Sequence, residues 1–120
     1  MNEVFTQLKN IMLPVAHSLD ITTNKPGDFD VYTFHVMENK KCQWFGGIKV
    51  KKNYVSYHLM PVYENPGLVE NISPELKKRM QGKSCFNFKV TDESLFCELS
   101  TLTTQAYEDY VSRGYITDSK

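Results

Sequence analysis

The sequence has little that would commit it to a disulfide, membrane or nucleic-acid role. Its three cysteines, Cys42, Cys85 and Cys97, are odd in number and form no CxxC pair. A disulfide scaffold or a zinc site would show different spacing. Cys85 and Cys97 sit among apolar residues and read as reduced packing residues. No apolar run approaches the roughly 20 residues of a membrane span. The opening "MNEVFTQLKNIMLPVAHSLD" has no charged segment followed by a continuous apolar one, as a secretory signal would. Fourteen basic and fourteen acidic residues cancel, which removes the long-range field that draws a protein onto nucleic acid or anionic lipid. The expectation is a cytoplasmic chain with neither a membrane nor a nucleic-acid partner.

What is present is ordinary for a globular domain. The apolar share is 41%, aromatics 12% and charged residues 23%, so general disorder is not expected. A length of 120 residues fits one domain, 1–120, with a frayed tail over 116–120.

Helical spacing opens the chain. Phe5, Leu8, Met12, Val15 and Leu19 form one stripe, and Pro14 predicts an end or kink near Leu13. Lys25-Pro26-Gly27-Asp28 is a turn joining a strand at about Leu19–Thr23 to one at about Asp28–Val36. "MENKK" is the next turn. A tight turn at Lys52-Asn53 then sets the register of a hairpin. One face carries Val50/Val55, Ile48/Tyr57, Gly46/Leu59 and Trp44/Pro61, and reads as core. The other carries Lys51/Tyr54, Lys49/Ser56, Gly47/His58 and Phe45/Met60. "ISPELKKRMQG" reads as a helix capped by Ser73 and stopped by Gly82. "SCFNFKV" alternates as a strand. The last helix is capped by Thr91 or Asp92, carries Leu95, Leu99, Leu102, Ala106 and Tyr110, and ends at Gly114. The sum is an α+β two-layer domain, a five-stranded mainly antiparallel sheet with N- and C-terminal helices packed on one face.

Chemical motifs are thin. Gly82-Lys83-Ser84 resembles the end of a phosphate loop, but Lys77 stands where its first glycine belongs, and a helix precedes it where a strand should. Arg79 and Lys83 flank this turn and are candidates for holding an anionic group. His35 and His58 fall on strands separated by a common neighbour, about 9.6 Å apart, too far to share an ion. The acids of the last helix, among them Glu98 and Asp109, lie about 16 Å apart along the axis and read as a solvated face. No Gly-x-Ser-x-Gly elbow is present. "KVKK" at the hairpin tip reads as an exposed turn. No catalytic residue, metal ligand or cofactor is assigned.

The far end of the second hairpin face is the remaining candidate site. Phe45, His58 and Met60 surround Gly47, whose missing side chain leaves a recess, and Tyr63 follows just beyond. An uncovered apolar surface there would mark a partner or ligand site, either a small ligand or a second copy in a homodimer. The alternative is that the final helix or the Tyr63–Asn71 loop covers it.

The runs "FGGIKVKKNYVSYHLMPVY" and "SPELKKRMQGKSCFNFK", followed by an acid-capped helix, resemble the bacterial YdhG-like domains, largely of unknown function. The resemblance covers about Thr33 to Tyr110 and implies a small cytosolic α+β domain with an antiparallel sheet. Some members are described as frataxin-like intracellular iron chaperones, which would imply weak iron binding through surface carboxylates. No ligand residue carries over, and Glu3 is the only acid before Asp20, where an acidic ridge on the first helix belongs. The expected function is a non-enzymatic binding module, with iron chaperoning as the alternative.

Overall fold

A computed structural model describes residues 2–117. Helix α1 spans Asn2–Ala16, followed by strands β1 (Asp20–Lys25), β2 (Asp28–Val36), β3 (Cys42–Val50) and β4 (Val55–Leu59). Short helix α2 (Met60–Glu64) and a 3-10 turn over Pro66–Val69 lead to α3 (Pro74–Lys77). A small hairpin, β5 (Met80–Gln81) and β6 (Cys85–Phe88), precedes the long helix α4 (Glu93–Ser112). The architecture is α+β, and every strand pairing is antiparallel. The sheet has six strands in the order β1-β2-β3-β4-β6-β5. The strand beyond the five expected is β5, two residues long, in a stretch where the pattern "ISPELKKRMQG" predicts the end of a helix.

Helices α1 and α4 pack on one face of the sheet, here called the inner face, while α2, the 3-10 turn and α3 line up along α4. From β2 to β6, Phe29, Ile48, Tyr57 and Phe86 form a fully buried row on that face. Val4, Phe5, Leu8, Met12 and Ala16 from α1 meet Leu99, Leu102, Ala106 and Tyr110 from α4 above it. Each large side chain buried this way contributes about 1.5–3 kcal/mol. The Tyr57 hydroxyl is satisfied at 2.7 Å by Thr103, so burial of this polar tip leaves no orphan.

Several local expectations change. Pro14 lies inside α1, which runs on to Ala16 rather than ending or kinking at Leu13. A proline two residues from the end loses only one ladder bond, and buried Met12 and Ala16 hold the last turn down. Val15 is only partly buried and Ala16 takes its place in the stripe. Helix α3 stops at Lys77. Gly82 is therefore not its stop but the positive-φ residue (77°) of the β5–β6 turn. Ser73 caps α3 as expected, accepting from Leu76 N–H, and Asp92 caps α4 in the same way through Leu95 N–H. Ile116 is buried and bonded to the Tyr110 carbonyl rather than frayed, whereas 118–120 fall outside the described residues.

The largest departure is a β-bulge in β3. Val31 faces Gly46, but Tyr32 faces Trp44, so Phe45 is an extra residue opposite the β2 step. Its ring turns inward, 0% exposed, edge-on to Tyr110 at 6.0 Å. Trp44 is thereby sent to the outer face. Thr33 mends the ladder nearby, donating to the Gln43 carbonyl and accepting from His35 N–H. Among the described residues no helix is long and apolar enough to cross a membrane.

Candidate functional site

Strand alternation puts two polar rows across the outer face. Asp28, Lys49, Ser56 and Asn87 form one, from β2 to β6; Asp30, Gly47, His58 and Cys85 form the next. Tyr32 and Trp44 pair beyond them. Most of these side chains, Lys49, His58, Cys85 and Asn87 among them, are only partly buried. The helices engage the inner face, so the alternative in which the last helix covers this surface does not hold.

Asp30 organises the surface. Its carboxylate lies over Gly47, where an added Cβ would come within 2.4 Å of Asp30 Oδ1. Gly47 and His58 still line a recess on this face, and Asp30 takes up part of the space beside Gly47. From there Oδ1 accepts the Trp44 indole N–H at 3.2 Å, and Oδ2 accepts Lys49 Nζ at 2.8 Å. Asp28 takes a second bond from Lys49. Burial lowers the Lys49 pKa, but its bonds to Asp28 and Asp30 together outweigh that and raise it. The Trp44 ring packs at 5.1 Å from His58, inclined at 49°.

Beside Trp44 lies a recess of about 270 Å³, lined among others by Lys51, Tyr54, Ser56, His58, Cys85 and Asn87. His58 and Cys85 are direct cross-strand partners. Burial and the charge of Lys51 lower the His58 pKa, with Lys49 adding to them and Asp30 opposing. Burial pushes the Cys85 thiol up. That thiol donates to Asn87 Oδ1 at 3.4 Å. A protonated thiol committed to an amide is a poor nucleophile.

On the other side of Trp44 a broader, shallow apolar trough of about 630 Å³ is formed by Tyr32, Cys42, Met60 and Tyr63, with Lys41 and Glu64 at its edge. Behind it, Tyr110 OH donates to Glu64 Oε1 at 2.6 Å and accepts from Gln43 Nε2 at 2.8 Å. Burial and the Glu64 carboxylate both push the Tyr110 hydroxyl up, so it stays protonated and ties α4 to α2 and β3.

The candidate residues divide accordingly. His58 stands on the outer face, and Met60 and Tyr63 line the trough, although Met60 begins α2 instead of pairing with Phe45. Pro61 sits in the first turn of that helix, not opposite Trp44. Lys83 lines neither recess, but its ammonium lies 5.8 Å from the Tyr63 ring centre. Phe45 is excluded, being buried on the inner face. Arg79 is exposed and lines neither recess; its backbone N–H donates to the Leu76 carbonyl and its own carbonyl accepts from Asn87 N–H. Sequence reasoning missed Trp44, Asp30 and Asn87. The legible signal was a lone tryptophan near two strand aspartates: a buried indole N–H needs an acceptor.

The acids of α4 are not a freely solvated face. Glu98 takes both the backbone N–H and the hydroxyl of Ser73 at 2.6 Å, which fastens α3. Asp109 is shared by Arg113 and Asn65. His35 packs against Tyr115 at 5.0 Å, while His58 packs on Trp44, so the two imidazoles serve separate contacts. Among the described residues no three His, Cys, Asp or Glu side chains converge to hold a metal ion. No protein-family model, curated protein or solved structure matches this chain.

Proposed function

We propose that this chain is a non-enzymatic binding module whose ligand seat is the outer face of the sheet around Trp44. The observation that carries this is Trp44 itself. Its indole edge is pinned by Asp30, while its flanks border a recess that carries several polar side chains on one side and a more apolar trough on the other. An aromatic surface held in place and left open is what small-molecule sites offer. The neutral Cys85 thiol beside it favours binding over nucleophilic chemistry.

Kinship with the YdhG-like domains is compatible with the α+β fold and is proposed on the quoted sequence runs alone. The iron-chaperone alternative is less favoured, because Asp28 and Asp30 are taken by Lys49, and Glu98 and Asp109 by Ser73 and Arg113.

Trp44 is the single tryptophan of the chain, so one indole N–H signal in a nitrogen–proton correlation spectrum reports on the site. Screening a fragment library against it, with light scattering in parallel, tests the reading. Hits that move the Trp44 signal in a monomer support a ligand seat. Loss of the monomer in favour of a dimer that buries Trp44 replaces the ligand with a second copy. A monomer whose Trp44 signal no compound moves overturns the proposal.

A further inference from the structure

Of the five methionines and three cysteines in the chain, Met37, Cys42 and Met60 line one cavity, the trough beside Trp44. They come from three places in the fold. Met37 follows β2, Cys42 opens β3 and Met60 opens α2. The β2–β3 reversal fixes the first two. Val36 and Cys42 are cross-strand partners, Met37 N–H donates to the Lys41 carbonyl at 2.8 Å, and Lys40 N–H donates back to the Met37 carbonyl at 2.9 Å. Pro61, in the first turn of α2, stiffens the backbone beside Met60. Met12 and Met80 serve elsewhere: Met12 is fully buried in the core and Met80 packs against it. Met37 is half-buried yet takes no part in the core, so the trough is what surrounds it.

Thiol and thioether sulfurs are soft donors, and they select soft metal ions. Hard ions take oxygen. The trough lining has one carboxylate, Glu64, whose Oε1 already accepts from Tyr110 and Gln43. Zinc takes thiolate, imidazole and carboxylate ligands rather than thioethers. Charge points the same way. A thiolate and a monovalent cation form a neutral pair, which suits a largely apolar lining, whereas a divalent ion would leave a positive charge there. Lys41 and Glu64, both in the lining, offset one another. Trp44 also lines the trough, and an indole ring attracts a nearby cation.

We infer that Met37, Cys42 and Met60 form a site for a soft monovalent metal ion, Cu(I), in the trough beside Trp44. This site lies within the outer-face ligand seat and rests on that reading, because the trough must be open in solution rather than covered by a second copy. Binding replaces the S–H bond of Cys42 with an S–Cu bond and releases the proton to solvent. The oxidation state of the metal does not change. Affinity therefore rises with pH. The two thioethers complete the donor set without adding charge.

The probes are Ag(I), an air-stable ion of the same charge and softness, anaerobic Cu(I) kept reduced, and Zn(II) as the contrast. The full chain carries isotope-labelled methionine methyl groups, read by NMR with the Trp44 indole signal. An equimolar amount of Ag(I) is expected to move the Met37, Met60 and Trp44 signals, saturating together, while Met12 and Met80 stay in place. Zn(II) should leave the two methyls unmoved. In competition with a coloured Cu(I) chelator, Cys42→Ser should weaken binding on the order of tenfold or more, as should Met37→Leu combined with Met60→Leu. Cys97→Ser, on the exposed side of α4, should leave it unchanged. Metal that moves neither methyl is held by a thiol elsewhere and overturns the inference. So does Zn(II) acting as well as Ag(I), or Cys42→Ser binding as tightly as the wild type. The methyl shifts are read in the wild type, so they do not depend on a variant folding. Light scattering separates the two readings. A monomer with unmoved methyls overturns the metal site and leaves the ligand seat to the library screen, whereas a dimer that buries the trough removes both.

Discussion

Phe29, Ile48, Tyr57 and Phe86 are sealed against water, whereas Asp30, Lys49, His58 and Cys85, one position along on the same strands, remain open to it. The inner face is held by area: it is apolar and its tolerance for change is set by volume. The outer face is held by partners: Asp30 orients Trp44 and Lys49, and Cys85 leans on Asn87. Removing atoms from the first should cost stability, and removing them from the second should cost arrangement.

Neighbouring residues on β6 give the largest contrast. Phe86→Ala should lower unfolding free energy by about 3–5 kcal/mol through a cavity. Asn87→Ala, on the opposite face, should stay within about 0.5 kcal/mol. Urea denaturation of both variants measures the gap, and equal losses would erase the distinction between the faces. A sharper probe is Gly47→Ala. Its Cβ would meet Asp30 Oδ1 at 2.4 Å and the Phe29 carbonyl at 2.7 Å. Overpacking of this kind costs about 1–3 kcal/mol, and displaced Asp30 should release the Trp44 indole N–H, seen as a change in its chemical shift. Retention of both stability and shift would mean that Asp30 does not organise the surface.

The smallest effect is a pH dependence. The His58 pKa is lowered on folding, by burial first and by Lys51 next. The unfolded chain then binds the proton more readily. The contribution of His58 to stability is full above its ordinary value of 6.5 and is lost as pH falls through its lower folded value. The urea midpoint should decline below pH 6.5 in the wild type, and His58→Gln should flatten that decline. An unchanged slope in the variant would show that His58 is as solvated in the fold as out of it.

Much of the fold was legible because local signals and burial agree. Pro26-Gly27, the Lys52-Asn53 hairpin, the Ser73 cap and the α4 stripe each follow from side-chain chemistry within a few residues. The site was only half legible. Strict alternation places His58 correctly but assigns Phe45 outward and Trp44 inward, because a bulge depends on the neighbouring strand and on what Tyr110 offers a ring. Met60 and Tyr63 were found for their apolar character, although the turn into α2 that carries them was read as strand and loop. Lys83 reached Tyr63 through the pairing of β6 beside β4, a contact 20 residues apart with no local signature.

The extra residue at Phe45 means that β3 is written in two phases. Inward positions are even-numbered at Ile48 and Gly46, and odd-numbered at Phe45 and Gln43. The strand therefore cannot be edited by uniform rules. A one-residue deletion near position 45 would not merely shorten it. Loss of Phe45 would remove the phase break, leave Trp44 opposite Tyr32 on the outer face, and take from the core the ring that packs edge-on to Tyr110.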